Sequence, residues 1–105
     1  MSEFVGVAKA GEVGEGDVKA FQVGDQLVAV ARVGGELLAF SDICTHKQCN
    51  LSSGGEIDGT VIECECHGSQ FDMKTGEVVN GPATDPIATF GVRDEGGELQ
   101  VSVSG

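Results

Sequence analysis

Seven short apolar runs, separated by glycine-rich segments, constrain the fold of this 105-residue chain more than any other feature. The runs cover residues 4–7, 18–23, 27–33, 37–40, 60–63, 87–92 and 99–103. They are rich in β-branched and aromatic residues, and each is too short for a typical helix. The 17 glycines allow the chain to turn often. This pattern predicts an all-β protein built from short strands.

Two glycine pairs predict β-hairpins. Gly34 and Gly35 join the third and fourth runs, and Gly96 and Gly97 join the last two, where glycine accepts a positive φ without steric cost. Apolar and polar residues alternate imperfectly over residues 18–23, as expected if some strands are covered on both faces. A chain of this length is expected to form one domain, residues 1–105.

All four cysteines and both histidines lie between residues 41 and 86, where the regular pattern gives way to loops. They include two close pairs, Cys44 with His46 and Cys64 with His67. Thiolate is a soft ligand and neutral imidazole also binds iron, so the set suits an iron–sulfur cluster with unlike irons. The same residue types also form tetrahedral zinc sites, so both metals remain open on residue chemistry alone.

The sequence C-T-H, followed after a loop by C-E-C-H-G-S-Q-F-D, resembles the signature of the Rieske [2Fe–2S] proteins. The similarity continues through Thr75-Gly76 and Gly81-Pro82-Ala83. It implies a Rieske-type antiparallel β-sandwich with a small, loop-rich cluster-binding subdomain at about residues 42–85. It also implies one [2Fe–2S] cluster per chain. The ligands it implies are Cys44 and Cys64 on one iron, and His46 and His67 on the outer iron.

The resemblance also implies roles for residues around the cluster. Gly68 would let the backbone turn close to the cluster, and Pro82 belongs to a third loop that covers it. Ser69 would donate a hydroxyl hydrogen bond to a bridging sulfide, whereas Phe71 replaces a tyrosine that donates another in respiratory relatives. Since hydrogen bonds to cluster sulfur raise the potential, we expect a value below that of respiratory proteins, within a family range of roughly −150 to +300 mV.

Cys49 and Cys66 lie beside the ligand positions but outside the ligand set. Their spacing resembles that of respiratory Rieske proteins, in which the corresponding cysteines form a disulfide between the two cluster loops. The resemblance therefore implies a Cys49–Cys66 disulfide, although cysteines of cytoplasmic proteins are generally reduced.

The charge of the chain restricts its partners. Six Lys and Arg against 17 Asp and Glu give a formal net charge of −11. That charge repels nucleic acid and anionic membranes, and it suits docking to a basic patch on a protein. No basic segment followed by an apolar run begins the sequence, and the best apolar run contains Arg32, so we expect a cytoplasmic protein without a membrane anchor.

Both histidines are used by the implied ligand set, which leaves none for a second, mononuclear iron site. We therefore expect a one-electron carrier and not an enzyme. The resemblance favours the ferredoxin of an aromatic-ring-hydroxylating dioxygenase system, a monomer that passes electrons from a reductase to a terminal oxygenase in aromatic hydrocarbon catabolism. The alternatives are a Rieske subunit of a respiratory or arsenite-oxidase-type complex and a zinc-stabilised interaction module.

Overall fold

The computed structural model describes residues 4–43, 50–52, 56–65, 68–81 and 83–102, and the statements below concern those residues. They form ten strands and one short 3-10 helix, Ala10–Glu12. The strands are β1 (Val5–Lys9), β2 (Val18–Val23), β3 (Gln26–Val33), β4 (Glu36–Ser41), β5 (Glu56–Asp58), β6 (Val61–Glu63), β7 (Gln70–Asp72), β8 (Val78–Asn80), β9 (Thr89–Glu95) and β10 (Glu98–Ser102). All pairings between these strands are antiparallel, which confirms the predicted fold class.

The larger sheet has six strands in the order β1-β10-β9-β4-β3-β2. Strand β3, which lies between β4 and the edge strand β2, is buried on both faces: Val28 and Val30 pack with Val101 of β10, whereas Ala29 and Ala31 face the second sheet. The imperfect alternation of residues 18–23 predicted that some strands are covered on both faces. That segment is β2 at the edge of the sheet, and the doubly covered strands are β3 and β4.

The smaller sheet has four strands in the order β5-β6-β7-β8. Ile57, Ile62, Phe71 and Val78 lie in register across it and pack on the face of the larger sheet that carries Phe40. The sequence predicted only β6 in this region and loops elsewhere, which was wrong for β5, β7 and β8. Each has three residues, too few for a period of two to become visible, and lacks three consecutive β-branched residues such as those at 60–62, which marked the equally short β6.

Both predicted hairpins are present. Residues 33 and 36 pair across Gly34 and Gly35, whose φ angles are 61° and 80°. Residues 95 and 98 pair across Gly96 and Gly97, whose φ angles are 60° and 92°. In the part of the chain that the structure describes, no helix has the length and apolar character needed to cross a bilayer.

The segment after β1 is fastened to the β3–β4 hairpin at two points. The Arg32 guanidinium donates to the carbonyl oxygens of Val13, at 2.7 Å, and Ala10, at 3.0 Å. The Glu15 carboxylate accepts the amides of Gly35, at 2.8 Å, and Gly34, at 2.6 Å. The hydrogen bond from Gly35, which has the larger effect, and the one from Gly34 lower the pKa of Glu15 below its ordinary 4.5, because they stabilise the charged carboxylate.

The pKa of Glu15 predicts an acid-sensitive contribution to stability. Because the folded-state pKa is lowered, the contribution is fully present above pH 4.5 and is lost as pH falls through the folded-state value. Glu15→Gln should therefore lower the melting temperature at neutral pH, and the difference from wild type should shrink in acid. Thermal unfolding followed by circular dichroism over this range tests it; a difference that is constant with pH would contradict the assignment.

Gly76 joins the smaller sheet to the segment before β9. Its amide donates to the Asp72 carbonyl oxygen at 2.7 Å, and its own carbonyl accepts the Ile87 amide at 2.9 Å. Gly76 is buried with φ +82°, and a Cβ at this position would overlap the Ile87 carbonyl oxygen. Position 76 therefore requires glycine both for its backbone conformation and for space.

Gly76→Ala should lower the free energy of unfolding by about 2 kcal/mol or more, through backbone strain and steric overlap together. Gly59→Ala is the matched control, because Gly59 also has positive φ (+62°) but no atom lies within 4 Å of its Cβ position. The control should cost only about 1 kcal/mol. Urea unfolding measures both, and equal losses would refute the steric contribution of Ile87.

Candidate metal centre

The first candidate loop follows β4 and is closed at its base. Ile43 and Asn50 form an isolated antiparallel bridge, and the Leu51 amide donates to the Asp42 carbonyl oxygen at 2.7 Å. In sequence, the predicted ligands Cys44 and His46 and the predicted disulfide residue Cys49 fall between residues 43 and 50, outside the described residues. The structure therefore fixes where the loop begins and ends.

The second loop is a tight turn between β6 and β7. The Cys64 amide donates to the Ser69 carbonyl oxygen at 2.8 Å, and the Gly68 amide donates to the Cys64 carbonyl oxygen at 2.9 Å. Gly68 has φ +77°, as the turn predicted for it requires. Cys66 and His67, between these anchors in sequence, lie outside the described residues. The turn thus fixes Cys64, one of the four predicted ligands.

Cys64 is buried at the base of this turn. Its residue exposure is 1%, and it belongs to the apolar cluster between the two sheets, together with Leu51, Phe71 and Ala83. These three neighbours come from the segment after the first loop, from β7 and from the third loop. The described parts of all three predicted loops thus contribute to one buried cluster that includes Cys64.

A hydrogen bond joins the second loop to the third. The Ala83 amide donates to the Ser69 hydroxyl oxygen at 3.1 Å, and both residues are buried. Because that oxygen acts as acceptor, the hydroxyl proton remains available to another acceptor. Phe71 is fully buried and has no hydroxyl, as noted from the sequence. Pro82, the remaining residue assigned to this region, lies outside the described residues.

These residues fit a [2Fe–2S] group. A water-shielded thiol suits sulfur ligation of iron, and a buried hydroxyl oriented through its oxygen suits hydrogen bonding to sulfur. The apolar floor under Cys64 lowers the local dielectric, which favours electron transfer without ligand exchange with water. Ligation by Cys44, His46, Cys64 and His67 as a set stays a prediction, since three of the four lie outside the described residues.

A model of the Rieske [2Fe-2S] domain family matches residues 3–91 of the chain. The chain belongs to the Rieske [2Fe–2S] family. Its cofactor is therefore a [2Fe–2S] cluster, as the sequence predicted, and not the zinc ion of the alternative interpretation.

Similar proteins carry ferredoxin names. This Rieske protein is 33% identical over 104 residues to the ferredoxin component of the p-cumate 2,3-dioxygenase system of Pseudomonas putida, covering 98% of this chain and 88% of that protein. The biphenyl dioxygenase ferredoxin subunit of Pseudomonas sp. strain KKS102 is 39% identical over 66 residues, 63% of this chain and 61% of that protein. The similarity to the first spans almost the whole chain.

Solved structures of two ferredoxins have the same fold as this chain. The ferredoxin of carbazole 1,9a-dioxygenase from Nocardioides aromaticivorans IC177 matches with a TM-score of 0.88 and 31% identity, covering 95% of this chain and 97% of that chain. A Sphingomonas yanoikuyae B1 ferredoxin matches with a TM-score of 0.88 and 32% identity, covering 95% and 98%. The two-sheet architecture of this Rieske protein is thus that of known Rieske ferredoxins.

The described part of the smaller sheet has an acidic outward face beside the second loop. Glu56, Glu63, Gln70 and Asn80 lie in register across its four strands, on the face opposite the apolar row. Gln70 donates to the Glu63 carboxylate at 2.9 Å, and Glu56 pairs directly with Glu63. Like charges at paired positions destabilise a sheet, so stability does not explain this arrangement.

Asp42 and Asn50 were not identified from the sequence. The Asp42 carboxylate is fully buried and accepts a hydrogen bond from the Asn50 amide at 2.8 Å. The available signal was an acidic residue two positions before Cys44 in the sequence. One aspartate among 17 acidic residues carries little information without its burial.

The Ser69 hydroxyl predicts an effect on the reduction potential. If Ser69 has the predicted role, Ser69→Ala removes a donor to cluster sulfur, so the potential should fall by roughly 40–60 mV, the equivalent of a hydrogen bond worth about 1–1.4 kcal/mol for one electron. Protein-film voltammetry measures the change. Ser102→Ala, which removes another buried hydroxyl from β10, serves as the control and should leave the potential unchanged. An unchanged potential in Ser69→Ala would refute the assigned hydrogen bond.

Proposed function

We propose that this Rieske protein is a one-electron carrier of an aromatic-ring-hydroxylating dioxygenase system. It takes electrons from a reductase and delivers them to a terminal Rieske oxygenase, and it has no catalytic site of its own. The ferredoxin names of its relatives support this role. So does a solved complex of reduced oxygenase with oxidised ferredoxin in carbazole 1,9a-dioxygenase, to which the chain is similar at 37% identity and a TM-score of 0.86.

The observation that carries the proposal is the junction of the three loops around Cys64. Leu51, Cys64 and Ala83, from the described ends of these loops, belong to one buried cluster, and the Ser69 hydroxyl accepts the Ala83 amide. A carrier needs a cofactor site whose geometry changes little between oxidation states. Loops fastened by backbone hydrogen bonds and core packing supply that rigidity.

We assign the cluster to Cys44 and Cys64 on one iron and to His46 and His67 on the other. When bound, the cluster accepts and donates single electrons at a potential raised by its two neutral imidazoles. The buried position of Cys64 supports its place in this set. We further propose a subdomain of about residues 42–85 within one domain of residues 1–105.

Three further features belong to the same proposal. A Cys49–Cys66 disulfide links the two ligand loops, in keeping with the cysteine spacing shared with respiratory relatives. The protein is a cytoplasmic monomer that binds neither nucleic acid nor membrane, in keeping with a net charge of −11. Its acidic surface directs it to basic patches on its two protein partners.

Electron transfer with purified components tests the proposed role. Reductase and terminal oxygenase from a p-cumate- or biphenyl-type dioxygenase system are mixed with the oxidised protein, and cluster bleaching is followed by stopped-flow absorbance. We expect reduction that depends on the reductase and reoxidation that depends on the oxygenase. Reduction by the reductase without reoxidation by any terminal oxygenase tested would contradict the proposal.

Glu56 provides a sharper prediction about docking. Glu56→Gln removes a charge that faces Glu63, so it should leave stability unchanged or improved while slowing association with a basic partner by about twofold to fivefold at low salt. The effect should vanish at high ionic strength. Glu95→Gln, at the end of the β9–β10 hairpin, is the matched control and should change the rate little. Equal slowing by both variants would show that only net charge matters.

A further inference from the structure

Asp42 carries a buried carboxylate that bonds to the far end of the first loop. The residue has 0% exposure. Its Oδ2 accepts a hydrogen bond from the Asn50 side-chain amide at 2.8 Å, and its Oδ1 accepts the Ser52 backbone amide at 2.7 Å. The Asp42 side chain, on the N-terminal side of the loop, thus bonds to two residues on its C-terminal side.

The backbone of Asp42 is fixed as well. Its amide donates to the Leu27 carbonyl oxygen in β3 at 3.0 Å, and its carbonyl accepts the Leu51 amide at 2.7 Å. The four residues Asp42, Asn50, Leu51 and Ser52, called here the Asp42 staple, therefore connect both ends of the loop to the larger sheet. Leu51 is itself fully buried in the cluster that contains Cys64.

The hydrogen-bond donors to the Asp42 carboxylate carry no charge. Among the described residues, ion pairs join Lys74 with Glu36 and Arg93 with Glu95, and the two donors bonded to the Asp42 carboxylate are neutral amides. Burying a carboxylate without a cation costs free energy that an apolar or neutral side chain would avoid. What the carboxylate provides is two acceptor oxygens for two converging donors, which fixes the distance between the loop ends.

We propose that Asp42 is a positioning residue for the cluster: its carboxylate holds the ends of the first loop at a fixed separation and so presets Cys44 and His46 for binding iron. This inference rests on the ligand set assigned under the proposed function. Closing a loop in advance removes an entropic cost that the cluster would otherwise have to offset. Without the staple, the cluster must hold its own loop closed, and it is released faster.

Cluster release from the holoprotein tests the proposal. The protein is challenged anaerobically with an iron chelator, and the loss of visible absorbance gives a release rate. Asp42→Ala should release the cluster about tenfold faster or more, because it removes both side-chain hydrogen bonds. Asn50→Ala removes one bond from an exposed residue and should give an intermediate rate. In Asp42→Asn, the new side-chain oxygen still accepts from the Ser52 amide. The new side-chain NH₂ can donate to the Asn50 side-chain oxygen once the Asn50 amide group has flipped. The release rate should therefore remain within about threefold of wild type.

Two controls separate positioning from general stability. Asp25→Asn removes the same charge from an exposed position in the β2–β3 turn and should release the cluster at the wild-type rate. The EPR g-values of the reduced cluster should shift in Asp42→Ala and return in Asp42→Asn, since they report ligand geometry and not the free energy of unfolding.

The outcomes are distinct. Faster release and altered g-values in Asp42→Ala, with rescue in Asp42→Asn, support the proposal. The positioning role of Asp42 is overturned if Asn50→Ala and folded Asp42→Ala both show wild-type release rates and g-values. That result leaves the carrier role intact. If Asp42→Ala does not fold, a wild-type release rate in Asn50→Ala is sufficient to overturn it. A wild-type protein whose reduced form gives no rhombic iron–sulfur EPR signal overturns the proposed function and this inference together.

Discussion

The packing of the smaller sheet on the larger one determines the position of every described part of the cluster site. Ile57, Ile62, Phe71 and Val78 form one apolar row against β3 and β4, and Cys64 and Ala83 belong to the same buried cluster. At roughly 25 cal/mol per Å² of apolar area, burial of such a row is the main favourable contribution available to strands of three residues. The site loops therefore inherit their geometry from core packing, and hydrogen bonds such as Ala83 to Ser69 refine it.

Two groups of carboxylates near the cluster site oppose the stabilising effect of this packing. Asp42 is a carboxylate buried without a described cation, and Glu56 faces Glu63 on the outside of the smaller sheet. Like charges at paired strand positions oppose sheet stability, and a buried carboxylate loses its hydration. Their shared location, beside the loops assigned to the cluster, is consistent with stability being given up for loop geometry in one case and for partner recognition in the other.

The sequence predicted the larger sheet well and the smaller sheet poorly, for a physical reason. β2 was placed at its observed bounds because its six residues show a β-type pattern between turn residues, and Gly34-Gly35 marked a hairpin through its need for positive φ. β5, β7 and β8 were missed because three residues do not establish a period, and they lack the run of three β-branched residues at 60–62 that marked the equally short β6. Their strand form depends on packing against a partner sheet. The ligand loops were predicted from chemistry, because cysteine and histidine at this spacing are specific in a way that apolar residues are not, and the ligand set stays a prediction. Asp42 was missed because its role depends on its burial and on a hydrogen bond from Asn50, eight residues later in the sequence.

The central claim is that the chain's two histidines and two of its four cysteines hold the [2Fe–2S] cluster. Electron–nuclear double resonance on the dithionite-reduced protein, grown with ¹⁵N-histidine, measures this most directly, because His46 and His67 are the only histidines in the sequence and the label reports on them alone. The account predicts hyperfine couplings from two histidine nitrogens bound to one iron. A reduced cluster that shows no coupling to labelled nitrogen, as expected for four thiolate ligands, would contradict it.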